Sequence, residues 1–363
     1  MSDVSSKSTK VTLIQETLRK EIVDGLWKEG GKLPGDAELA KRFECSMGTV
    51  NRAVSLLAHD GFVVRRPRMG TRVLKGGASL AGLDAFAFIY PSKNHEGIWR
   101  TVRGFQDAAE QSGRRVVMLS SGSNFQKEGE YIARLPEFDV KGGVIYPLIG
   151  NDQERDSFLK VIAESPFPLV IADASFPGMR RPAVVVDNFH AGYTMARHLL
   201  AVGAKRIGFF GNNALSLAVR DRCNGYLWAL QEAGLPEVAE RIFLEPSMHP
   251  DFSHPLDEPT HLARQYLKQA GDIDGVVCLN DILAEGLVRA AGQAGISIPG
   301  DLRITGVDGL SIAQAASPTL TTYGVPFELI GRTAFELLGT LVEGKNVTGE
   351  KKIRGELLLG ESA

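Results

Sequence analysis

Near the start of the chain, apolar residues recur at helical spacing in three short stretches: Ile14, Leu18 and Ile22; then Leu39, Ala40 and Phe43; then Val50, Val54 and Leu57. The first set, closed by Gly25, predicts an amphipathic helix over residues 11–24. The second opens at Asp36, whose carboxylate suits a helix N-terminus, and predicts a short helix to Phe43. The third follows the N-cap hydroxyl of Ser46 and ends at Gly61. Residues 62–73 (Phe-Val-Val-Arg-Arg-Pro-Arg-Met-Gly-Thr-Arg-Val) then break helical spacing and predict two strands around a Pro/Gly turn.

From Ala85 onward, apolar runs alternate with amphipathic segments. Strands are expected at 85–90, 116–119, 143–146 and 169–172, with helices near 97–112, 126–135 and 153–164. A second series repeats the plan, with strands at 206–210, 242–244, 275–279 and 304–307 and helices near 190–202, 220–233, 258–270 and 282–294. Such alternation predicts an α/β fold of two doubly wound, parallel-sheet lobes. Between the two patterns, residues 74–84 hold three glycines among small residues and read as a linker. The expected organisation is therefore a helical and winged unit over residues 1–75, a linker at 76–84 and a two-lobed unit over 85–363. Its first lobe spans about 85–188 plus 322–345, and its second about 189–320.

Charge sharpens this division. The net charge of -2 conceals 14 Lys/Arg against 9 Asp/Glu over residues 1–76, and 27 against 34 over the rest. The front end is thus the part suited to a polyanion. In its third helix, Ser46, Met47, Thr49, Asn51 and Arg52 lie off the apolar stripe, where a DNA major groove would meet them. Arg65, Arg66, Arg68 and Arg72 surround the ribbon turn with Gly70 and suit phosphates or a minor groove. A winged helix used for protein contact is the other reading of the same pattern. Three cysteines, Cys45, Cys223 and Cys278, stand far apart among apolar neighbours, which predicts reduced, buried thiols and neither disulfide nor metal. No apolar run reaches the length of a signal peptide core or a membrane span, so a cytoplasmic protein without membrane contact is expected.

In two facing α/β lobes, ligands bind at the carboxyl ends of the strands, which makes the interlobe cleft the expected small-molecule site. Trp99, in the first helix of the first lobe, suits stacking on a ligand and equally a core or dimer contact. Trp228 reads as core. The proline- and histidine-rich stretch 245–261 reads as a long surface loop. Asp173, Asp187, Asp281 and Asp308 fall near predicted strand ends, yet no nucleophile elbow, dinucleotide fingerprint, P-loop or HExxH pair accompanies them, so neither enzyme activity nor a cofactor is expected.

Several motifs carry family resemblance. Lys32-Leu-Pro, Glu38-Leu-Ala, Phe43-Glu-Cys-Ser, Thr49-Val, Arg52-Ala, Asp60-Gly-Phe and Gly70-Thr-Arg-Val, in that order, resemble the GntR-family DNA-binding domain, a winged helix-turn-helix. Ala37, Met47 and Asn51 depart from it, standing where that family usually has arginine. Val186-Asp-Asn, Arg222-Cys-Asn-Gly-Tyr, Asn280-Asp-Ile-Leu-Ala-Glu-Gly, Gly306-Val-Asp and Pro318-Thr-Leu-Thr-Thr resemble the effector domain of the LacI/GalR repressors. Together they resemble a hybrid regulator of the arabinose-repressor type. The resemblance implies a periplasmic-binding-protein-like sensor with chain crossovers near 188 and 320, and a ligand that is usually a sugar or related metabolite. It further implies an operator in double-stranded DNA and a homodimer, since one recognition helix reads only half of a palindrome. Arg222, Asn280 and Asp308 match that family's ligand contacts. From their own chemistry they also suit a salt bridge, a helix cap and a turn, respectively. Gly309 stands where the family often has a second acid. The competing class is a sensor or transport binding protein that touches no DNA.

Overall fold

The computed structural model describes residues 4–59, 61–66, 70–74, 85–91, 95–122, 124–147, 149, 151–214, 216–247 and 253–363. The linker expected at 76–84 lies outside them.

The front unit comprises α1 (Val4–Val23), α2 (Asp36–Arg42), α3 (Met47–His59), β1 (Val63–Arg66) and β2 (Gly70–Val73). Helix α1 begins well ahead of the expected residue 11. Ile14, Leu18, Leu39, Val50, Val54, Leu57, Val63 and Val73 are all buried in one core. Gly61, at φ +76°, takes the left-handed turn that ends α3 and delivers Phe62 back to the Leu57 carbonyl. The ribbon β1–β2 is antiparallel, with Val63 opposite Val73. Residues 31–33 flank it as a third extended segment, through Leu33 N–H to the Thr71 carbonyl and Val73 N–H to the Gly31 carbonyl.

The first lobe contains β3 (Ala85–Tyr90), α4 (Glu96–Gln111), β4 (Arg115–Ser120), α5 (Phe125–Ala133), β5 (Gly143–Ile145), α6 (Asp152–Glu164), β6 (Leu169–Ala172) and β7 (Ala183–Val186). The second follows with α7 (Asn188–Ala201), β8 (Ile207–Gly211), α8 (Leu217–Glu232), β9 (Ile242–Leu244), α9 (Asp257–Gln269), β10 (Gly275–Cys278), α10 (Asp281–Gln293), β11 (Arg303–Asp308), α11 (Ser311–Ala315) and β12 (Thr321–Gly324). The chain then returns to the first lobe with α12 (Phe327–Val342) and β13 (Glu350–Ile353), and ends in the second with β14 (Glu356–Leu358). The first sheet, ordered β13-β7-β6-β5-β3-β4, is parallel throughout. In the second, ordered β14-β12-β11-β10-β8-β9, β14 alone runs antiparallel.

The lobes are thus joined by three crossings. The expected crossing near 320 lies instead at 325–327, because Thr321–Gly324 pair with β11 in the second sheet. A third, unexpected crossing at 354–355 places Ile353 beside Val186 in one sheet and Glu356 beside Gly324 in the other. Residues 257–269, assigned partly to a loop by their composition, form α9; residues 248–252 of that stretch lie outside the described set.

In each lobe two helices cross at glycines. A Cβ on Gly104 would overlap the Glu328 carbonyl and one on Gly331 the Thr101 carbonyl, so α4 and α12 pack backbone to backbone. A Cβ on Gly192 would likewise meet the Arg222 carbonyl, and one on Gly225 the Phe189 carbonyl, where α7 crosses α8. This crossing turns Tyr226 fully inward and leaves Trp228, expected in the core, 49% exposed with its indole N–H on Glu232. Gly192→Ala or Gly331→Ala should therefore destabilise the sensor by about 1–3 kcal/mol through forced helix separation. Gly292→Ala, in a helix with nothing near the added methyl, should stabilise by about 0.5–1 kcal/mol. Urea unfolding of the three variants checks the contrast.

Candidate functional site

The floor of the cleft is assembled from strand ends of the second lobe. Arg222, near the start of α8, donates from Nε to Asn188 Oδ1 at 2.8 Å, from Nη1 to the Leu279 carbonyl, and lies 3.5 Å through Nη2 from Asp308 Oδ1. Both charged side chains are only 11% exposed. The pair lies within one lobe rather than bridging two. Burial raises the Asp308 carboxyl above its ordinary range, and Arg222 opposes that rise. Asp308 has φ +114°, an unusual backbone for a non-glycine residue. Asn280 caps α10, its Oδ1 accepting the Leu283 N–H at 2.9 Å.

Asp281, which sequence reading noted only as a strand-end acid, holds this geometry in place. It is fully buried, accepting the Leu310 N–H at 2.7 Å and the Thr322 hydroxyl at 2.5 Å, so the turn after Asp308 is pinned to the start of α10. Burial, with the charge of Asp308 second, pushes its carboxyl up to about 8.

The opposing wall comes from the first lobe. Tyr146, just beyond β5, donates its hydroxyl to Asp173 Oδ2 at 2.5 Å, and Asp173 itself has φ +58° beyond β6. Burial lifts the Asp173 carboxyl to about 6; the Tyr146 hydrogen bond lowers it, Asp308 raises it and Arg222 lowers it. The charge of Arg222, paired with Asp308 in the second lobe, is thus also felt by Asp173 in the first. His95, at the foot of α4, acts on both carboxylates and has a buried Nδ1 with no partner among the described residues. Trp99 is 43% exposed and packs edge-on against Tyr90, with ring centroids 5.6 Å apart. A cavity of about 320 Å³ opens between the lobes beside this group, reaching Asp173 and Asn188.

Polar groups tie the three crossings together. Asp187 pairs with Arg354 at 2.9 Å and caps α7 through the His190 N–H. His190 Nδ1 meets the Tyr323 hydroxyl at 2.8 Å, and that oxygen accepts the Gly355 N–H at 2.7 Å. Within the first lobe Arg100 bonds Glu328 at 3.0 Å; between the lobes it reaches the Gly309 carbonyl at 3.3 Å, and Glu96 accepts the Ser311 N–H at 2.8 Å.

In the front unit, Ser46 caps α3 through the Thr49 N–H at 3.2 Å. Met47 is 58% exposed, Asn51 is half-buried with Ser55 at 3.5 Å, and the exposed Arg52 donates to the Glu164 carbonyl. Of the ribbon arginines, Arg65 is held by Asp36 at 2.5 Å and Arg72 by the Gly30 carbonyl at 2.7 Å. Gly70, at φ +80°, opens β2 against the Lys32 side chain. Arg68 and the side chain of Arg66 lie outside the described residues. Cys45 is half-buried, Cys223 and Cys278 are buried, and all three are free. Among the described residues no cluster of side chains suits a metal, and no helix is long and apolar enough to cross a membrane.

Residues 11–73 match the bacterial regulatory proteins of the gntR family, and residues 196–363 match the periplasmic binding protein-like domain. The chain thus joins a segment similar to gntR-family regulatory proteins to one similar to the periplasmic binding protein-like domain. The chain is 26% identical to the arabinose metabolism transcriptional repressor of Geobacillus stearothermophilus, over 97% of each chain. It is also 26% identical to the HTH-type transcriptional repressor PurR of Photobacterium profundum, over 68% of this chain and 70% of the relative. Among solved structures, transcription regulator CcpA of Lactococcus lactis shares the fold with a TM-score of 0.67 at 22% identity, covering 77% of this chain and 98% of the other. These relatives are transcription regulators and not enzymes.

Two outcomes follow from this geometry. Since Arg65 is paired with Asp36, Arg65→Gln should change the salt slope of DNA binding by less than the roughly 0.9 expected for one phosphate contact, whereas Asp36→Asn should steepen it. Fluorescence anisotropy across a salt series checks both. The raised Asp173 carboxyl stabilises the fold fully below its unfolded value, near 4, and that contribution is lost as pH rises through about 6. Asp173→Asn should thus gain stability relative to wild type between pH 4.5 and pH 7, measured by denaturant unfolding at each pH.

Proposed function

We propose that the regulator is a cytoplasmic, homodimeric repressor whose operator affinity is set by a sugar or closely related polyol bound between its lobes. The observation that carries this reading is the buried Arg222–Asp308 pair facing Asp173 and Tyr146. A guanidinium, two carboxylates and a phenol supply the paired donors and acceptors that vicinal hydroxyls require. Arg222, Asn280 and Asp308 are the expected ligand contacts, with Trp99 as a stacking surface. Asn280 keeps its amide nitrogen for this role while its oxygen caps α10. The near full-length similarity to an arabinose metabolism repressor supports the sugar class.

On the DNA side, the division into a winged helix-turn-helix over 1–75, a linker at 76–84 and a sensor over 85–363 gives each half its own task. Ser46, Met47, Thr49, Asn51 and Arg52 meet the major groove. Arg66, Arg68, Gly70 and Arg72 follow the backbone, and Arg65 contributes less because Asp36 holds it. With Met47 and Asn51 in the recognition helix, the half-site is richer in A/T than in guanine contacts. Ligand closes the lobes about the three crossings and changes the relation of the two winged units across the dimer, a coupling typically worth about 1–3 kcal/mol.

Thermal shift against a panel of monosaccharides and sugar acids tests the ligand class, since a ligand at 100 times its Kd adds about 2.7 kcal/mol. For the site, Asp308→Asn is the informative variant because asparagine tolerates the backbone of this position better than alanine. It should bind operator as wild type does and lose the effector response in a gel-shift titration. A normal response from this variant would move the ligand away from Asp308.

A further inference from the structure

We infer that one corner of the first lobe is a docking surface for the chain's own recognition helix, and that DNA reaches this helix only when it undocks. This goes beyond the ligand reading above and does not depend on it.

The contact joins α3 to the end of α6. Arg52, one of the groove-facing residues, donates to the carbonyl of Glu164 in the last turn of α6, 112 residues further along the chain. Helix α3 also runs alongside the 3-10 turn Leu135–Phe138 of the same lobe.

The chemistry on the two sides is complementary. The C-terminal end of α6 is the negative end of its dipole, and its last carbonyls have no partner within the helix. Arg181 takes the Ile162 carbonyl at 3.0 Å and the Ser165 carbonyl at 2.5 Å, which leaves the intervening Glu164 carbonyl to Arg52. Residues 134–139 and 162–166 carry Glu137, Asp139 and Glu164 against Arg134 alone. All three acids are exposed, and Glu137 bonds Arg134 at 2.9 Å. This corner thus offers a basic winged unit what a phosphate backbone offers it, namely oxygen acceptors and negative charge for a guanidinium.

Geometry makes the two partners exclusive. By helical spacing, Gly48, Arg52 and Ser55 lie opposite the buried stripe of Val50, Val54 and Leu57, on the side that a major groove receives. The lobe holds Arg52 on that side. Arg65 reaches Ser55 from the ribbon at 3.5 Å, and Ser55 is only 3% exposed. No base pair can approach Arg52 while Glu164 occupies its guanidinium. DNA therefore binds the undocked fraction alone, and its apparent affinity is reduced by that fraction.

Fluorescence anisotropy of the full chain with a random-sequence duplex of about 30 base pairs tests this, because such binding is electrostatic and meets the same obstruction. Glu137→Arg combined with Glu164→Arg should repel α3 without altering the winged unit. Glu237→Arg combined with Glu240→Arg, at exposed acids of the second lobe, makes the same change of charge away from the contact. The first pair should bind the duplex about fivefold more tightly than the second, with unchanged melting temperatures reporting intact folds. Equal affinity of the two pairs, or weaker binding by the first, overturns the docking surface. A second measurement uses Arg52→Lys, which places an amine beside the Glu164 carboxylate. A carbodiimide, taking up the water lost, should join them as an amide in the free chain, and excess duplex should abolish that link in peptide mass spectrometry. No link without DNA, or an undiminished link with it, overturns the proposal.

Discussion

A buried guanidinium governs the sensor. Arg222 reaches the entry to α7, the end of β10 and the end of β11 at once, so three stretches separated by dozens of residues converge on one charge. Removing one partner of such a buried pair typically costs about 3–5 kcal/mol, because the remaining charge stays in a place that cannot solvate it. The cleft floor and the architecture of the second lobe consequently share the same atoms. A ligand that competes for Arg222 or Asp308 acts directly on the packing of β10, β11 and α7. No separate relay is needed between binding and the fold.

The glycine crossings complement that electrostatic tie with close backbone packing. Gly192 and Gly225 bring α7 against α8, and Gly104 and Gly331 bring α4 against α12. Arg100 and Arg103 then clasp Glu328 on the second of these crossings. Burial works against ionisation of Glu328, but the two guanidiniums outweigh it and hold the carboxyl at about 2. Each lobe is thus stiff within itself. Between the lobes run the three crossings, where Asp187, Arg354, His190 and Tyr323 exchange hydrogen bonds.

Much of this fold is legible along the chain. Continuous apolar runs read as strands, and both the fully buried β6 and the half-buried β9 begin and end where those runs do. What escapes reading has identifiable causes. β7 follows β6 without an intervening helix, so the alternation of strand and helix does not mark it. β13 reads Glu-Lys-Lys-Ile with three exposed residues, a charged edge strand without an apolar signature. At the site, motif resemblance led to Arg222, Asn280 and Asp308. The roles of Tyr146, Asn188 and Asp281 depend on partners 27, 34 and 41 residues away, which no local spacing records. The Asp36 partner of Arg65 was hidden for the same reason.

The third crossing has a consequence for how the protein is made. Both sheets take a strand from residues 350–358, and Ser362 sits in the second core, bonded to Thr321 and to the Ile304 carbonyl. Neither lobe can complete its sheet until these residues leave the ribosome. The front unit has its core within residues 11–73 and needs nothing further along the chain. Synthesis from the N-terminus therefore yields a folded DNA-binding unit while the sensor is still unfinished, with the part that answers to ligand closing last.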